Sequence, residues 1–201
     1  MKLLHPIAVA ALACCAWTAP ALAHDVIYIA NLSGTAEAPP NGSAGTGFAT
    51  ITFNDHDFTM RVEVSFAGLS GNVTASHIHC CTTTAGAATA GVATQTPTFT
   101  GFPLGGTFGT YDHTFDMTLP GSWNPAFVTA HGGTTGHAFD DLLGGVNAGK
   151  AYLNIHTNVV PGGEIRGFLQ LAPVPEPESW ALMLAGLGIV AGVARRRELK
   201  G

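Results

Sequence analysis

His77 and His79 stand two residues apart around Ile78, and His156 closes a second short run, Tyr152-Leu153-Asn154-Ile155-His156-Thr157. Alternate residues of a strand share a face. An extended 77–79 therefore projects both imidazoles from one side and Ile78 from the other. By the same rule Tyr152, Asn154 and His156 share a face opposite Leu153 and Ile155. With the aliphatics marking the core, the three histidines are expected on the outer or edge side of the sheet. Two imidazoles at i, i+2 plus a third from another strand make a ligand set for copper or zinc. The competing chemistry is structural: imidazoles that hydrogen-bond one another, a threonine or the backbone and so lock the sheet. The sequence leaves both open.

Cys80 and Cys81 follow the pair directly and are the only cysteines after residue 23. An exported chain favours their oxidation. Adjacent cysteines close only a tight ring, because the usual Cα separation in a disulfide exceeds the span of one trans peptide. The alternatives are a vicinal disulfide, intermolecular bridges, or thiolates added to a histidine-rich copper site. Other polar residues carry less. His131, His137, Asp140 and Asp141 gather near a glycine turn and a short helix, which they are expected to cap or solvate. His24, as a free N-terminus, offers copper an amine and a ring but has no identifiable partner. Glu164 and Arg166 share a strand face and are expected to pair, an exposed contact worth about 0–1 kcal/mol. No Gly-x-Ser-x-Gly elbow, dinucleotide-binding or P-loop glycine pattern occurs. The residues form no catalytic constellation, and the chain is expected not to be an enzyme.

The elements that must hold these residues read as strands. Phe58, Met60, Val62, Val64 and Phe66 alternate with Thr59, Arg61, Glu63 and Ser65, one apolar face of a half-buried strand. Tyr111, Phe115, Met117 and Leu119 repeat the pattern, as do Ile165, Leu169 and Leu171. Segments 26–32, 47–53, 73–79 and 151–157 read as further strands, with turns at Pro39-Pro40-Asn41-Gly42 and Pro161-Gly162-Gly163. A helix is expected over 138–147, where Phe139, Leu142, Leu143 and Val146 recur at helical spacing before Gly149. The economical architecture is all-β: an antiparallel β-sandwich with one or two short helical insertions.

Both ends are addresses. Lys2, an apolar run over 3–17 and the small-x-small triplet Ala21-Leu22-Ala23 make residues 1–23 a signal peptide, with a mature start at His24. Residues 24–172 form the β-domain and 173–201 the tail. In the tail, Pro175, Glu176 and Pro177 precede fifteen uncharged residues, 180–194, and then Arg195, Arg196 and Arg197. Fifteen residues make about 22 Å of helix, short against the roughly 20 residues of an ordinary span, and the arginines would hold that end on the cytoplasmic side. This order of proline-acid signal, short apolar helix and basic stop resembles the PEP-CTERM sorting signal of Gram-negative bacteria. The resemblance implies transient insertion in the inner membrane, removal of the tail by an exosortase-type peptidase, and delivery to the cell envelope, the surface or the extracellular matrix. A plain single-pass anchor is the other reading. Residues 24–174 keep only Arg61, Lys150 and Arg166 against ten carboxylates, a formal charge of −7. So acidic a body has no phosphate-binding stripe, which excludes nucleic acid as a partner.

The runs Ala75-Ser76-His77-Ile78-His79, Tyr152-Leu153-Asn154-Ile155-His156-Thr157 and Pro161-Gly162-Gly163-Glu164-Ile165-Arg166-Gly167 together resemble the CHRD domain. Tyr152, Asn154, Thr157, Gly163, Glu164, Arg166 and Gly167 match its pattern residue by residue, and the likeness covers roughly 26–171. It implies a β-sandwich in an exported protein and little about activity. Two functions stand at this point. One is a non-catalytic surface or matrix protein with an unknown partner. The other is a secreted metalloprotein, copper or zinc on His77, His79 and His156, with redox activity as its extension.

Overall fold

The computed structural model describes residues 25–173 and 179–198. The expected signal peptide, the mature start at His24, and Pro175, Glu176 and Pro177 lie outside the described residues. The chain runs through β1 (Asp25–Ser33), β2 (Thr46–Asn54), β3 (Thr59–Ala67), β4 (Val73–His79) and β5 (Gly109–Asp116). Two helices, α1 (Pro125–Ala130) and α2 (Thr135–Asn147), precede β6 (Tyr152–Thr157), β7 (Ile165–Phe168) and β8 (Gln170–Leu171), and α3 (Ser179–Glu198) ends the described chain.

Alternation sets the faces. β3 buries Met60, Val62, Val64 and Phe66 and turns Arg61 and Ser65 out, as the period of two requires. Phe58 falls before the strand, at φ 51°. β5 likewise stops before Met117, and Leu119 is exposed.

The strands pair antiparallel in the order β4-β6-β7-β1-β2-β3-β5, with β8 beside β1. The antiparallel all-β class with short helical insertions is as expected, and its strands form one curled sheet. Hydrogen bonding stays continuous from one layer to the other because β7 meets β1 at Ser33 and Arg166. The connection 80–108 then covers the free edge of β4, through Cys80 N–H to Gly91 O, Ala93 N–H to Ile78 O and Phe99 N–H to Ser76 O. Phe99 in turn packs on Tyr111 and Phe115 of β5. A single core therefore runs between the flanks.

α2 closes one end of that core. Thr134 caps it by accepting from His137 N–H, the ordinary role of a threonine there. Its Phe139, Leu142 and Val146 are buried, and Phe139 meets Phe53 edge-on at 6.0 Å. α3 carries Arg195, Arg196 and Arg197. Among the described residues no helix is long and apolar enough to cross a membrane, so the expected short transmembrane helix is not confirmed. The uncharged stretch is interrupted by Gly186, Gly188 and Gly192 and meets the arginines too soon.

Candidate metal centre

β4, β6 and β7 fix the site through their core side. Ile78, Leu153, Ile155 and Ile165 are fully buried in the core. A slip of one residue in register would exchange them for imidazoles and an arginine, so the register is strongly specified. His77 pairs across with Asn154 and Asn154 with Arg166; His79 pairs with Tyr152 and Tyr152 with Phe168; Ala75 pairs with His156. All of these therefore share the face away from the core.

That face is not solvent. His77 and His79 stand on the side away from the core but are only 7% and 8% exposed, because other segments cover that side. Residues 36–37 from the β1–β2 connection, 88–97 from the connection 80–108, and the β6–β7 turn lie over the layer. Each supplies a backbone carbonyl to a side chain below it. His77 Nε2 donates to Pro97 O at 2.7 Å, His79 Nδ1 to Ala90 O at 2.9 Å, and His156 Nδ1 to Pro161 O at 2.9 Å.

These bonds decide the tautomers. A carbonyl oxygen only accepts, so the bonded nitrogen of each ring carries the hydrogen and the other carries a lone pair. The other three are His77 Nδ1, His79 Nε2 and His156 Nε2, all buried and all without a hydrogen-bond partner. The three rings converge, with centroids 4.9 to 5.6 Å apart, and one ligand atom from each lies within 4.8 Å of the others. A metal about 2.0–2.1 Å from each nitrogen needs them roughly 3.4 Å apart in a tetrahedral arrangement, so the rings would have to close by up to about 1.4 Å around an ion. Burial holds His77 and His79 near pKa 4 and lowers His156 as well, which keeps the lone pairs free of protons at neutral pH.

The structural-lock chemistry is met only halfway. One nitrogen of each ring does hold a covering loop, but the facing nitrogens cannot bond to one another because all three N–H groups are used elsewhere. A buried acceptor left empty costs about 1–3 kcal/mol, and three of them converge here. A single cation held by this group could satisfy all three.

Around the rings lies a polar layer. Tyr152 stacks on His79 at 4.9 Å and 4°, and its hydroxyl meets the backbone of Ala90. Arg166 sits with its Cζ 4.7 Å over the Tyr152 ring. Its guanidinium donates to Ala36 O and Ala88 O and approaches the Glu37 carboxylate at 3.8 Å. Burial pushes Glu37 up to about 7, with Arg166, the Ala38 N–H and Asn154 pulling the other way.

Glu164 and Arg166 do not pair, contrary to the sequence expectation. Fully buried Glu164 accepts instead from Ser43 Oγ (2.6 Å), Thr157 Oγ1 (2.6 Å), Ser70 N–H (2.5 Å) and Gly71 N–H (3.2 Å). The motif glycines have local reasons. Gly163 lies at φ +128°, where a Cβ would also strike the Asn154 side chain. A Cβ on Gly167 would strike Asn31 O of β1. Glu37 was missed by sequence reasoning, and only its acid type in a proline-rich turn marked it.

Cys80 and Cys81 are joined by a vicinal disulfide packed against Gly145 of α2. Cys80 belongs to the core cluster, and the candidate metal group among the described residues contains histidines only. His131 Nδ1 donates to Phe127 O and its ring stacks on Phe127, a local arrangement at the end of α1.

Among known proteins, the CHRD domain family matches residues 28–169, and the PEP-CTERM protein-sorting motif matches 173–197. No curated protein and no solved structure matches the chain. The sorting motif implies processing by an exosortase-type system and export to the cell envelope or surface. With well over half of its length matched, the chain belongs to the CHRD domain family.

Proposed function

We propose that this protein is a non-catalytic CHRD-domain protein of the cell surface or extracellular matrix that holds one copper or zinc ion between His77, His79 and His156. Its signal peptide and tail are removed in transit, the latter by an exosortase-type peptidase. The observation that carries the metal is the convergence of three buried, partnerless imidazole nitrogens whose opposite N–H groups are tied to backbone carbonyls. Anchoring the far nitrogen is how proteins orient histidine ligands. Sorting rests on the tail motif.

The test is elemental analysis of the chain purified without chelator or polyhistidine tag. About one equivalent of copper or zinc is expected, falling below a tenth in His77→Ala or His156→Ala while the fold persists. A metal content unaffected by both substitutions, or none after reconstitution with either ion, would remove the reading.

A further inference from the structure

Resting on that metal centre, we infer that it selects a monovalent ion: copper(I) in preference to zinc(II). The ligand set is neutral. Among the described residues no carboxylate or thiolate joins the three histidines, so a bound dication would keep both of its charges in a buried layer.

That layer already holds a cation. Arg166 Cζ and the His79 ring lie 4.7 and 4.9 Å from the centroid of the same Tyr152 ring, so the guanidinium is at most about 10 Å from the His79 ring. The arginine is itself only 2% exposed, so solvent screens it weakly. One additional positive charge at about 10 Å, with an effective dielectric near 20, weakens binding roughly fifteenfold. Glu37, 3.8 Å from Arg166, offsets part of this charge once it ionises above its raised pKa of about 7, so the fifteenfold figure is the limit reached with Glu37 protonated.

Coordination points the same way. Three nitrogens in a near-equilateral cluster can satisfy a trigonal copper(I). Zinc(II) completes a tetrahedral set by adding a water to three histidines, and copper(II) a tetragonal one, so either dication must bring a further ligand into this buried layer, whereas copper(I) need not.

The full chain, without a tag and under nitrogen, is titrated at pH 8 with copper(I) against a chromogenic copper(I) chelator and with zinc(II) against a fluorescent zinc chelator. Copper(I) is expected to bind at least tenfold more tightly. The isosteric Glu37→Gln change removes one negative charge near the site. It should weaken zinc(II) by about the square of the factor by which it weakens copper(I), because the ionic charges stand at two to one. Zinc(II) bound as tightly as copper(I), or equal factors for both ions in the variant, overturns the selectivity and leaves the metal centre standing. Binding of neither ion removes the metal centre itself. The wild-type comparison needs no variant, so a poorly folding Glu37→Gln protein leaves the inference exposed to refutation.

Discussion

Truncating Glu164 to alanine should destabilise this domain far more than loss of a surface ion pair. The carboxylate is fully buried and accepts four hydrogen bonds. The Ser43 and Thr157 hydroxyls can rotate toward other acceptors, but the Ser70 and Gly71 N–H groups are fixed by the backbone. Each donor left unpaired costs about 1–3 kcal/mol, so those two alone give about 2–6 kcal/mol, and the lost volume adds to that. An expected loss of about 3–5 kcal/mol matches the breaking of other buried charged networks. Domains have only about 5–15 kcal/mol of stability in total. At about 2–4 °C per kcal/mol for this size, the midpoint should fall by roughly 6–20 °C in thermal unfolding followed by circular dichroism at pH 7.

The pH dependence supplies a second reading of the same carboxylate. Burial alone would raise its pKa, but the bonds from Ser43, Thr157 and Ser70 more than offset this, and it lies below the ordinary glutamate value. The unfolded chain therefore takes up the proton first as pH falls. The stabilisation is complete above the unfolded value near 4.3 and is lost as pH drops through the lower folded value. Glu164→Ala should lose that acid-side slope. A cost below about 1 kcal/mol, or a wild-type slope in the variant, would refute the reasoning. So would a coupling above 1 kcal/mol with Arg166→Ala in a double-mutant cycle, because the two side chains do not pair.

Gly145→Ala should destabilise by about 1–3 kcal/mol, because its Cβ would strike both disulfide sulfurs, whereas exposed Gly144→Ala, with nothing within 4 Å, should stabilise α2 by about 0.5–1 kcal/mol; chemical denaturation separates them, and equal effects would refute the close packing. Metal occupancy should persist down to about pH 5 and fall toward pH 4, since protons compete only near the depressed pKa values of His77 and His79; equilibrium dialysis showing half-loss near pH 6.5 would refute the burial argument. Mass spectrometry of protein recovered from the cell surface should find a chain beginning at His24 and ending near Pro175, Glu176 and Pro177, and an intact 180–194 segment would refute processing. Deleting Arg195, Arg196 and Arg197 should lower the surface yield, and an unchanged yield would count against their stop-transfer role.

What the sequence made legible was which side of each strand a residue takes. The alternation of Ile78, Leu153 and Ile155 with His77, His79 and His156 reports on the strand itself, and the structure keeps those faces. It could not report what lies above a face. The cover over the histidines is built from carbonyls of Ala90, Pro97 and Pro161, and a carbonyl acceptor leaves no trace in side-chain identity. The same gap explains Glu164 and Arg166. Their spacing placed both on one face and suggested a pair, while most of their partners come from segments about 80 to 130 residues away.

The covered face behaves as a second, polar interior, and that changes what the family motif means. In an apolar core a neighbouring side chain can be exchanged for another of similar volume at modest cost. In a polar one every donor needs its acceptor. Thr157 is held by Glu164, Glu164 also by Ser43 and the backbone beyond β3, and Arg166 by the carbonyls of Ala36 and Ala88. Gly163 and Gly167 are small so that Asn154 and β1 can approach. Much of the motif therefore holds the cover onto the sheet. Among the described residues that layer leaves five buried polar atoms unpaired, the three imidazole nitrogens with Glu37 Oε1 and Asn154 Oδ1, and of these it is the histidines that gather as a ligand group.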